Sequence, residues 1–387
     1  MTAKDRAGQA FAAVEADLAD ISRWMYHNPE TAFEERRSSA RLASFLGSHG
    51  FEVEYPAYGL ETSFAARAGT TGPLVVICAE YDALPGVGHA CGHNIIATAA
   101  AGAGVALAGL AGDLGFRVTV LGTPAEEKHG GKVDLIEAGA FEGASAALMV
   151  HPAAEDVVDP VCLAVDHLVV EYRGKDAHAA ASPWEGRNAL DAFVQAYVAT
   201  ATLRQHLYPT DKLHCIVTHG GDAPNIIQSY TRSEWYVRAA TAARLEEVRD
   251  RVQACWEAAA AATGCTVQVS PDGNAMIDLI TDPLLADLYA ANSAALGRPM
   301  GRRAERDDAA SGSTDMGNVS HVVPAIHPML DIHPGGAVNH QPEFAAHTIT
   351  PDGERAIRDG ALAMAFTVLD VAEGGRWADL GAATPIP

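Results

Sequence analysis

The sequence predicts an α/β protein whose main domain is interrupted by a smaller α+β domain. Apolar runs of strand length alternate with helical patterns in the first part of the chain, and helical patterns resume near its end, as in a sheet flanked by helices. Between these segments the expected order of elements is β-α-β-β-α-β, which is the plan of a ferredoxin-like domain. We therefore predict a discontinuous main domain, residues 1–163 and 278–387, and an inserted domain, residues 164–277.

Composition indicates an acidic globular protein. The 387 residues suffice for two domains, and 48% hydrophobic residues can form a large core. The formal net charge of −22 disfavours binding to nucleic acids or to anionic membranes. The six cysteines are scattered, and the N-terminus carries charges where a signal peptide would be apolar. We expect a cytoplasmic protein whose partners are small molecules, with no role for nucleic acid or membrane.

Helical periodicity and apolar runs predict the elements before the inserted domain. We expect one amphipathic helix over residues 4–26 and a second from Phe33 to His49. The apolar run Leu74–Ala79 predicts a buried parallel strand, and a long helix begins near Ile95. Because that helix is rich in Ala and Gly, we expect it to pack on the sheet and not to cross a membrane. Other expected elements are strands at residues 51–55, 62–66, 116–121 and 146–150, and a short helix at 132–138.

The inserted domain and the chain after it carry the same kinds of pattern. The inserted domain is expected to contain strands at residues 168–172, 213–217, 230–239 and 266–270, and helices at 184–207 and 245–259. The chain after it is expected to contain a helix at 283–296, a loop at 311–318, strands within 322–332, and a last helix at 353–369. The main domain therefore combines a mixed sheet with helices on its faces.

Side chains that bind metals follow three expected strands of the main domain. They are Cys91 and His93 after residues 74–79, Glu126 and Glu127 after residues 116–121, and His151 after residues 146–150. In an open α/β sheet, functional sites form at the carboxyl ends of the strands, so these side chains should converge. The sequence therefore predicts a metal centre at this edge.

Each of these features also has an ordinary explanation. Cys91 and His93 fit a core cysteine beside a helix-capping histidine, and the adjacent Glu126 and Glu127 fit a solvated turn. A histidine before proline, such as His151, is commonly a loop residue. The coincidence of the three favours a metal centre, because such a centre needs ligands from separate elements of a rigid scaffold.

The residue types indicate two metal ions and a general base. With the later His340, the chain offers five thiolate, imidazole and carboxylate donors, more than one four-coordinate ion needs. The donors suit zinc, and they also suit manganese, nickel or cobalt. Glu126 stands beside the ligand Glu127 with no ligand role left, so we expect it to take a proton from a metal-activated water and pass it to a leaving amine. Asp82 is the expected partner that orients a ligand.

Several motifs together resemble one family of enzymes. The segments Glu80–Pro85, Gly88–Asn94, Pro124–Glu127 and His151–Pro152 look like those of the aminoacylase/dipeptidase-type metallopeptidases, peptidase family M-20. Within that family they resemble the amidohydrolase branch that contains p-aminobenzoyl-glutamate hydrolase and the β-alanyl-lysine-type dipeptidases. The likeness runs nearly end to end and includes Gly174–Ala179, Gly220–Ile227, Arg238 and Gly312–Asn318.

The resemblance implies a di-metal exopeptidase-like fold in which the inserted domain serves as a lid and dimerisation domain. It implies that two divalent ions, zinc or manganese, are bound by Cys91, His93, Glu127, His151 and His340. It further implies that His178 polarises the scissile carbonyl in the site of a neighbouring subunit. Asn225 and Arg238 would hold the carboxylate of the substrate. Ser313 and Asp315, in the Gly/Ser/Asp-rich loop, are further candidates for substrate binding.

We conclude that the sequence predicts a metal-dependent hydrolase that forms a homodimer. The expected substrate has an amide bond next to a free carboxylate, in a dipeptide or an N-acyl or aminobenzoyl amino acid. Two alternatives remain: an amidohydrolase of non-peptide aromatic or acyl amides, and a metal-stabilised dimer that binds such ligands without cleaving them. Glu126 favours an enzyme, because a pure binding protein has no use for a general base.

Overall fold

A computed structural model describes residues 1–302 and 312–381 of the chain, which divides into two compact units. The main unit comprises residues 1–161 together with the chain from Leu279 onward. The inserted unit comprises Cys162–Asp278. These limits lie within two residues of the domain limits expected from the sequence.

The chain before the inserted unit forms six helices and six strands. The helices are α1 (Ala3–Ala12), α2 (Glu15–His27), α3 (Arg36–Ser48), α4 (His93–Leu114), α5 (Glu126–His129) and α6 (Gly131–Glu137). The strands are β1 (Glu52–Glu54), β2 (Ala65–Ala68), β3 (Leu74–Ala79), β4 (Arg117–Gly122), β5 (Ala144–Leu148) and β6 (His151–Ala153). The strand expected from the apolar run at Leu74 has the bounds that the run predicts.

The remaining elements follow in the inserted unit and in the end of the chain. The inserted unit contains β7 (Ala164–Arg173), β8 (Ala177–His178), α7 (Ala189–Leu203), β9 (Lys212–His219), β10 (Ile226–Ile227), β11 (Tyr230–Ala239), α8 (Ala242–Thr263) and β12 (Thr266–Pro271). The last segment contains α9 (Pro283–Ala295), α10 (Met316–Val322), β13 (Ala325–Ile326), β14 (Met329–Asp331), α11 (Pro342–His347) and α12 (Pro351–Glu373).

The clearest differences from expectation concern three elements. The single helix expected over residues 4–26 is two helices, because the backbone leaves the helical conformation at Val14 (φ −121°, ψ 0°). The helical spacing of buried apolar residues continues across this break, since Val14 and Leu18 are both buried. The helix expected at 184–207 begins only at Ala189, after the bend at Gly186, and ends at Leu203. The loop expected at 311–318 becomes helical at Met316, and Ser311 lies outside the described residues.

The main sheet is mixed, and both of its faces are covered. Its order is β1-β2-β4-β3-β5-β13, with β4, β3, β5 and β13 parallel and β1 and β2 antiparallel. Alternate residues of a strand point to opposite faces. Accordingly Val75 and Ile77 belong to one apolar cluster, and Val76 and Cys78 belong to another. The parallel strands deliver their carboxyl ends, and the polar loops after them, to one edge.

Helix α4 is the longest element in contact with the sheet, and small residues allow its close approach. A Cβ on Gly104 would lie 2.3 Å from Cγ2 of Val120 in β4. The helix is long and apolar enough to cross a membrane, but 83% of its most apolar window is buried inside the protein. A buried core helix therefore accounts for its composition, and its first residue, His93, is fixed by this packing.

The inserted unit has the ferredoxin-like plan that the order of elements predicts. Its four-stranded sheet has the order β12-β7-β11-β9, and every neighbouring pair is antiparallel. Helices α7 and α8 cover one face, where Trp235 and Trp256 are buried against each other. Strands β12 and β9 form the two edges of this sheet.

Two glycines of α4 allow a direct test of its packing. Gly104→Ala should lower the free energy of unfolding by about 1–3 kcal/mol, because the added methyl group overpacks the contact with β4. Gly109→Ala is the matched control, since a Cβ there meets nothing within 4 Å. That variant should gain about 0.5–1 kcal/mol from helix propensity. Chemical unfolding followed by circular dichroism measures both, and equal effects would contradict the described packing.

Candidate metal centre

All five expected ligands come together at the carboxyl edge of the main sheet. Ligand atoms lie within 4.8 Å of one another in three overlapping groups: Cys91, His93 and His151; Cys91, Glu127 and His340; Glu80, His93 and Glu126. Cys91 Sγ is 3.5 Å from His151 Nε2, and Glu127 Oε2 is 3.4 Å from His340 Nε2. Donors on one ion, each about 2.0–2.3 Å from it, stand at such separations.

Two histidines are held in the tautomer that presents Nε2 to a metal. His93 Nδ1 is 2.9 Å from Asp82 Oδ1, and His151 Nδ1 is 2.8 Å from the carbonyl oxygen of Pro152. A ring nitrogen that donates its proton to an oxygen leaves the other nitrogen with a free lone pair. In both rings this second nitrogen is Nε2, the atom that faces the cluster.

Asp82 also positions a second candidate ligand. Its Oδ2 accepts a hydrogen bond of 3.1 Å from the backbone N–H of Glu127. The Asp82 side chain is buried, and burial opposes its ionised form, but the adjacent His93 keeps the pKa of Asp82 below its usual value. Asp82 therefore contacts both His93 and Glu127, and these contacts support the orienting role, which remains a prediction.

The bend between Cys91 and His93 requires a glycine. Gly92 has φ +82°, and a Cβ at this position would lie 2.3 Å from Cγ of Pro152. The left-handed backbone and this close approach exclude larger residues. The bend lets the thiol and the imidazole face the same point, and it also brings them against the residue that follows His151.

Glu126 is held by a turn that the sequence did not reveal. Ala125 has a positive φ of 60°, and its N–H donates a 2.9 Å hydrogen bond to Oε1 of the buried Glu35. This turn separates the two glutamates, so that Glu126 Oε2 stands 3.9 Å from His93 Nε2 and Glu127 Oε1 stands 3.7 Å from it. Burial, and then the carboxylates of Glu80 and Glu127, raise the pKa of Glu126 well above its ordinary value.

The unsatisfied atoms of the site fit divalent cations. Among the described residues, no hydrogen-bond partner is found for Glu80 Oε2, His93 Nε2 or Glu127 Oε1, all of which are buried. Leaving such atoms unpaired costs about 1–3 kcal/mol each, and more when they are charged. Metal ions among these donors would remove that cost. The five ligand assignments remain predictions that this geometry supports.

Three buried residues near the site were missed by the sequence reasoning. Glu35 supports the turn before Glu126, and Lys132 is ion-paired in the interior. His327 is 1% exposed, its ring lies 5.4 Å from that of His151, and neither ring nitrogen has a partner among the described residues. A lysine after two glycines at a helix start could have been noticed. Glu35 and His327 carry no local signal, because only the tertiary structure brings them to the site.

Two of the expected site residues in the inserted unit, the catalytic candidate His178 and the substrate-binding candidate Asn225, lie side by side. His178, in β8, pairs with Ile226 of β10, and the carbonyl of the preceding Asn225 accepts a hydrogen bond from Ala179. His178 Nδ1 accepts hydrogen bonds from the N–H groups of Ala180 and Ala181, so the ring proton is on Nε2. His178 is exposed and can therefore donate a hydrogen bond through Nε2. The third, Arg238, lies on β11.

The structure does not support the expected substrate contact of Asp315. Its side chain is fully buried, and its two oxygens accept hydrogen bonds from Nζ and from the backbone N–H of Lys132, at 2.6 and 2.9 Å. Asp315 follows Ser313 in the loop before α10. A polar loop is typically exposed to solvent, but the carboxylate of Asp315 is ion-paired with the buried Lys132. The role of Ser313 remains a prediction.

A cluster of thiolate, imidazole and carboxylate donors at the carboxyl edge of an α/β sheet, with a buried free glutamate, is the site of a metal-dependent hydrolase. Comparison with known families agrees: residues 76–367 match Peptidase family M20/M25/M40, and the chain belongs to this family. It is therefore an enzyme that hydrolyses amide bonds, as the sequence predicted.

Individual relatives extend this result. The chain is 40% identical to an Xaa-Arg dipeptidase of Mus musculus, over 95% of this chain and 88% of the relative. It is 34% identical to one of the subunits of p-aminobenzoyl-glutamate hydrolase from Escherichia coli (strain K12), over 66% of this chain and 58% of the relative. It shares the fold of a dinuclear metal-binding M20 peptidase of Bacillus subtilis, with a TM-score of 0.71, 21% identity, and coverage of 94% and 99%.

Adjacent Glu126 and Glu127 provide a matched pair of variants. Glu126→Gln should lose about 10²–10⁴-fold in turnover and keep its metal, because only the proton-transferring group is removed. Glu127→Gln should lose metal, because an oxygen donor close to His93 and His340 is replaced. Steady-state rates and elemental analysis of the same samples measure both effects. The opposite pattern would show that the roles of the two glutamates are exchanged.

Proposed function

We propose that the protein is a dipeptidase that removes a basic C-terminal residue, using two zinc or manganese ions. The observation that carries this proposal is the dinuclear donor set with a buried free glutamate, Glu126, in a chain similar almost throughout to an Xaa-Arg dipeptidase. The net charge of −22 supports cationic substrates, because a strongly acidic protein attracts them electrostatically.

The family resemblance suggests a chemical role for each of these residues. The ions, when bound, supply Lewis acidity that polarises the amide carbonyl and makes water a better nucleophile. An oxygen of Glu126 accepts the proton of the attacking water and returns it to the nitrogen of the leaving amino acid. The Nε2–H of His178 donates to the carbonyl oxygen as negative charge develops there. Asn225 and the guanidinium of Arg238 hold the free carboxylate of the substrate.

A substrate panel tests this function. We expect Xaa-Arg and Xaa-Lys dipeptides to be cleaved with the highest kcat/KM, ahead of N-acetyl-arginine and p-aminobenzoyl-glutamate. Amidation of the C-terminal carboxylate should cost about 10–100-fold, because charge-assisted hydrogen bonds to the substrate are lost. A strong chelator should abolish turnover, and zinc or manganese should restore it.

Two outcomes of the panel would overturn the proposal. A preference for p-aminobenzoyl-glutamate would identify an aromatic amidohydrolase. Binding of dipeptides by metal-loaded protein without release of amino acids would identify a binding protein. Undiminished activity in protein shown by elemental analysis to be free of metal would contradict the metal requirement.

We also propose a homodimer formed through one edge of the inserted unit. Strand β9 ends the sheet, and its Ile216 and Val217 are 61% and 44% exposed. Helix α7, which packs over the neighbouring β11, exposes Val194, Tyr197 and Val198 on one face. An unpaired edge strand beside an exposed apolar stripe supports pairing with a second copy. In such a dimer His178 would act in the site of the partner subunit, as the family resemblance implies.

Substitutions at the two sheet edges test the dimer. Ile216→Lys on β9 should produce monomers, because charges would be buried in the interface. Thr266→Lys on the opposite edge strand β12 is the matched control and should remain dimeric. Light scattering after size exclusion measures the mass.

Mixed dimers of His178→Ala and Glu126→Gln should recover partial activity, and monomeric protein with full activity would contradict the shared site.

We retain the cytoplasm as the proposed location. All six cysteines are free, including the candidate ligand Cys91. Free thiols persist in a reducing compartment, and a thiolate ligand needs one to remain reduced.

A further inference from the structure

A buried lysine lies between two carboxylates, and one of these carboxylates is next to the candidate metal ligand His93. Lys132, Glu80 and Asp315 each have 0% of their side chains exposed. Lys132 Nζ donates to Glu80 Oε1, and it donates to Asp315 Oδ1 at 2.6 Å. The proposed function gives Lys132 no role, and Asp315 accepts through both of its oxygens.

The charges of this triad do not balance. Lys132 contributes one positive charge, and the two carboxylates contribute two negative charges. An uncompensated buried charge is strongly unfavourable, so a further cation close to one of the two acids would stabilise the triad. Asp315 has both oxygens paired, whereas Glu80 Oε2 is buried and has no hydrogen-bond partner in the described part of the chain. Of the two acids, Glu80 is therefore the one with an oxygen available to such a cation.

The free oxygen faces the candidate metal ligand His93. Glu80 Oε2 is 3.4 Å from His93 Nε2, which is itself buried and without a partner among the described residues. This distance exceeds that of a good N–H···O hydrogen bond, about 2.9–3.0 Å. It matches two donors that share one ion at about 2.0–2.2 Å from each. The hydrogen bond from His93 to Asp82 leaves Nε2, and not Nδ1, for this ion.

We propose that Glu80 is a sixth protein ligand of the dinuclear centre and binds the same ion as His93. Lys132 holds Oε1 and thereby directs Oε2 toward the ion, while Asp315 fixes Lys132. Lys132 and Asp315 are thus positioning residues that never contact the metal. The inference rests on the metal-dependent function proposed above, and it assigns a role to a triad that this function leaves unexplained.

Metal binding by the full-length protein tests the assignment. Apo protein is titrated with zinc in competition with a chromophoric chelator, and the cobalt-loaded protein is examined by visible absorption. Glu80→Gln should lower the affinity for one of the two ions by about 100-fold or more, because an anionic donor becomes a neutral amide. Its cobalt spectrum should also change, since the coordination shell loses a ligand. Glu80→Asp should regain part of the affinity.

Asp315→Asn is the matched control, because it removes the same charge from the opposite side of Lys132. Bulk electrostatics would weaken metal binding in the two variants alike, whereas ligation by Glu80 makes the loss in Glu80→Gln at least tenfold larger. Equal losses, or an unchanged cobalt spectrum in Glu80→Gln, would overturn the proposal. Circular dichroism of the apo proteins checks that both variants are folded.

If Glu80→Gln does not fold, a crystal structure of the metal-loaded unaltered protein decides. An ion within about 2.3 Å of Glu80 Oε2 supports ligation, and the absence of any ion within hydrogen-bonding distance of this oxygen overturns it. The test is separate from that of the function. If metal binding depends on Glu80 but the protein cleaves none of the panel, only the proposed function is rejected. If the enzyme is active but its metal affinity does not depend on Glu80, only this inference is rejected.

Discussion

The structure depends on the confinement of many carboxylates in a buried space with few positive charges. Glu80, Asp82, Glu126 and Asp315 are all nearly inaccessible, and Lys132 is the one buried lysine among the described residues. Such a cluster is stable only if cations occupy it or protons neutralise it. Burial first, and then the carboxylates of Glu80 and Glu127, raise the pKa of Glu126 well above its ordinary value. Positive ions bound nearby would favour the ionised form of this carboxylate, which is the form that acts as a base.

The scaffold fixes this cluster through contacts that leave little freedom. Gly92 permits the bend at Cys91 and His93, and Gly104 lets α4 approach the sheet closely enough to place its first residue at the strand ends. Asp82 then connects His93 with the backbone of Glu127. Two kinds of contact therefore hold donors from separate elements at metal-binding distances: close packing of the helix and hydrogen bonds to the candidate ligands.

The sequence predicted most of the elements, and it predicted which candidate ligands come together, because both have local signals. An apolar run such as Leu74–Ala79 identifies its own strand, and polar residues directly after such runs mark the site. The break at Val14 escaped prediction, since burial on both sides keeps the helical period intact. The roles of Glu35, Lys132 and Asp315 could not be predicted either. Each depends on a partner far away in the sequence, as Lys132 and Asp315 illustrate.

The metal centre that we infer holds two ions close together. Electron paramagnetic resonance of the manganese-loaded protein tests it directly, because two manganese ions about 3.5–4 Å apart interact magnetically. We predict an exchange-coupled spectrum when two equivalents of manganese are bound per chain. The spectrum of isolated, non-interacting ions at full occupancy would contradict it.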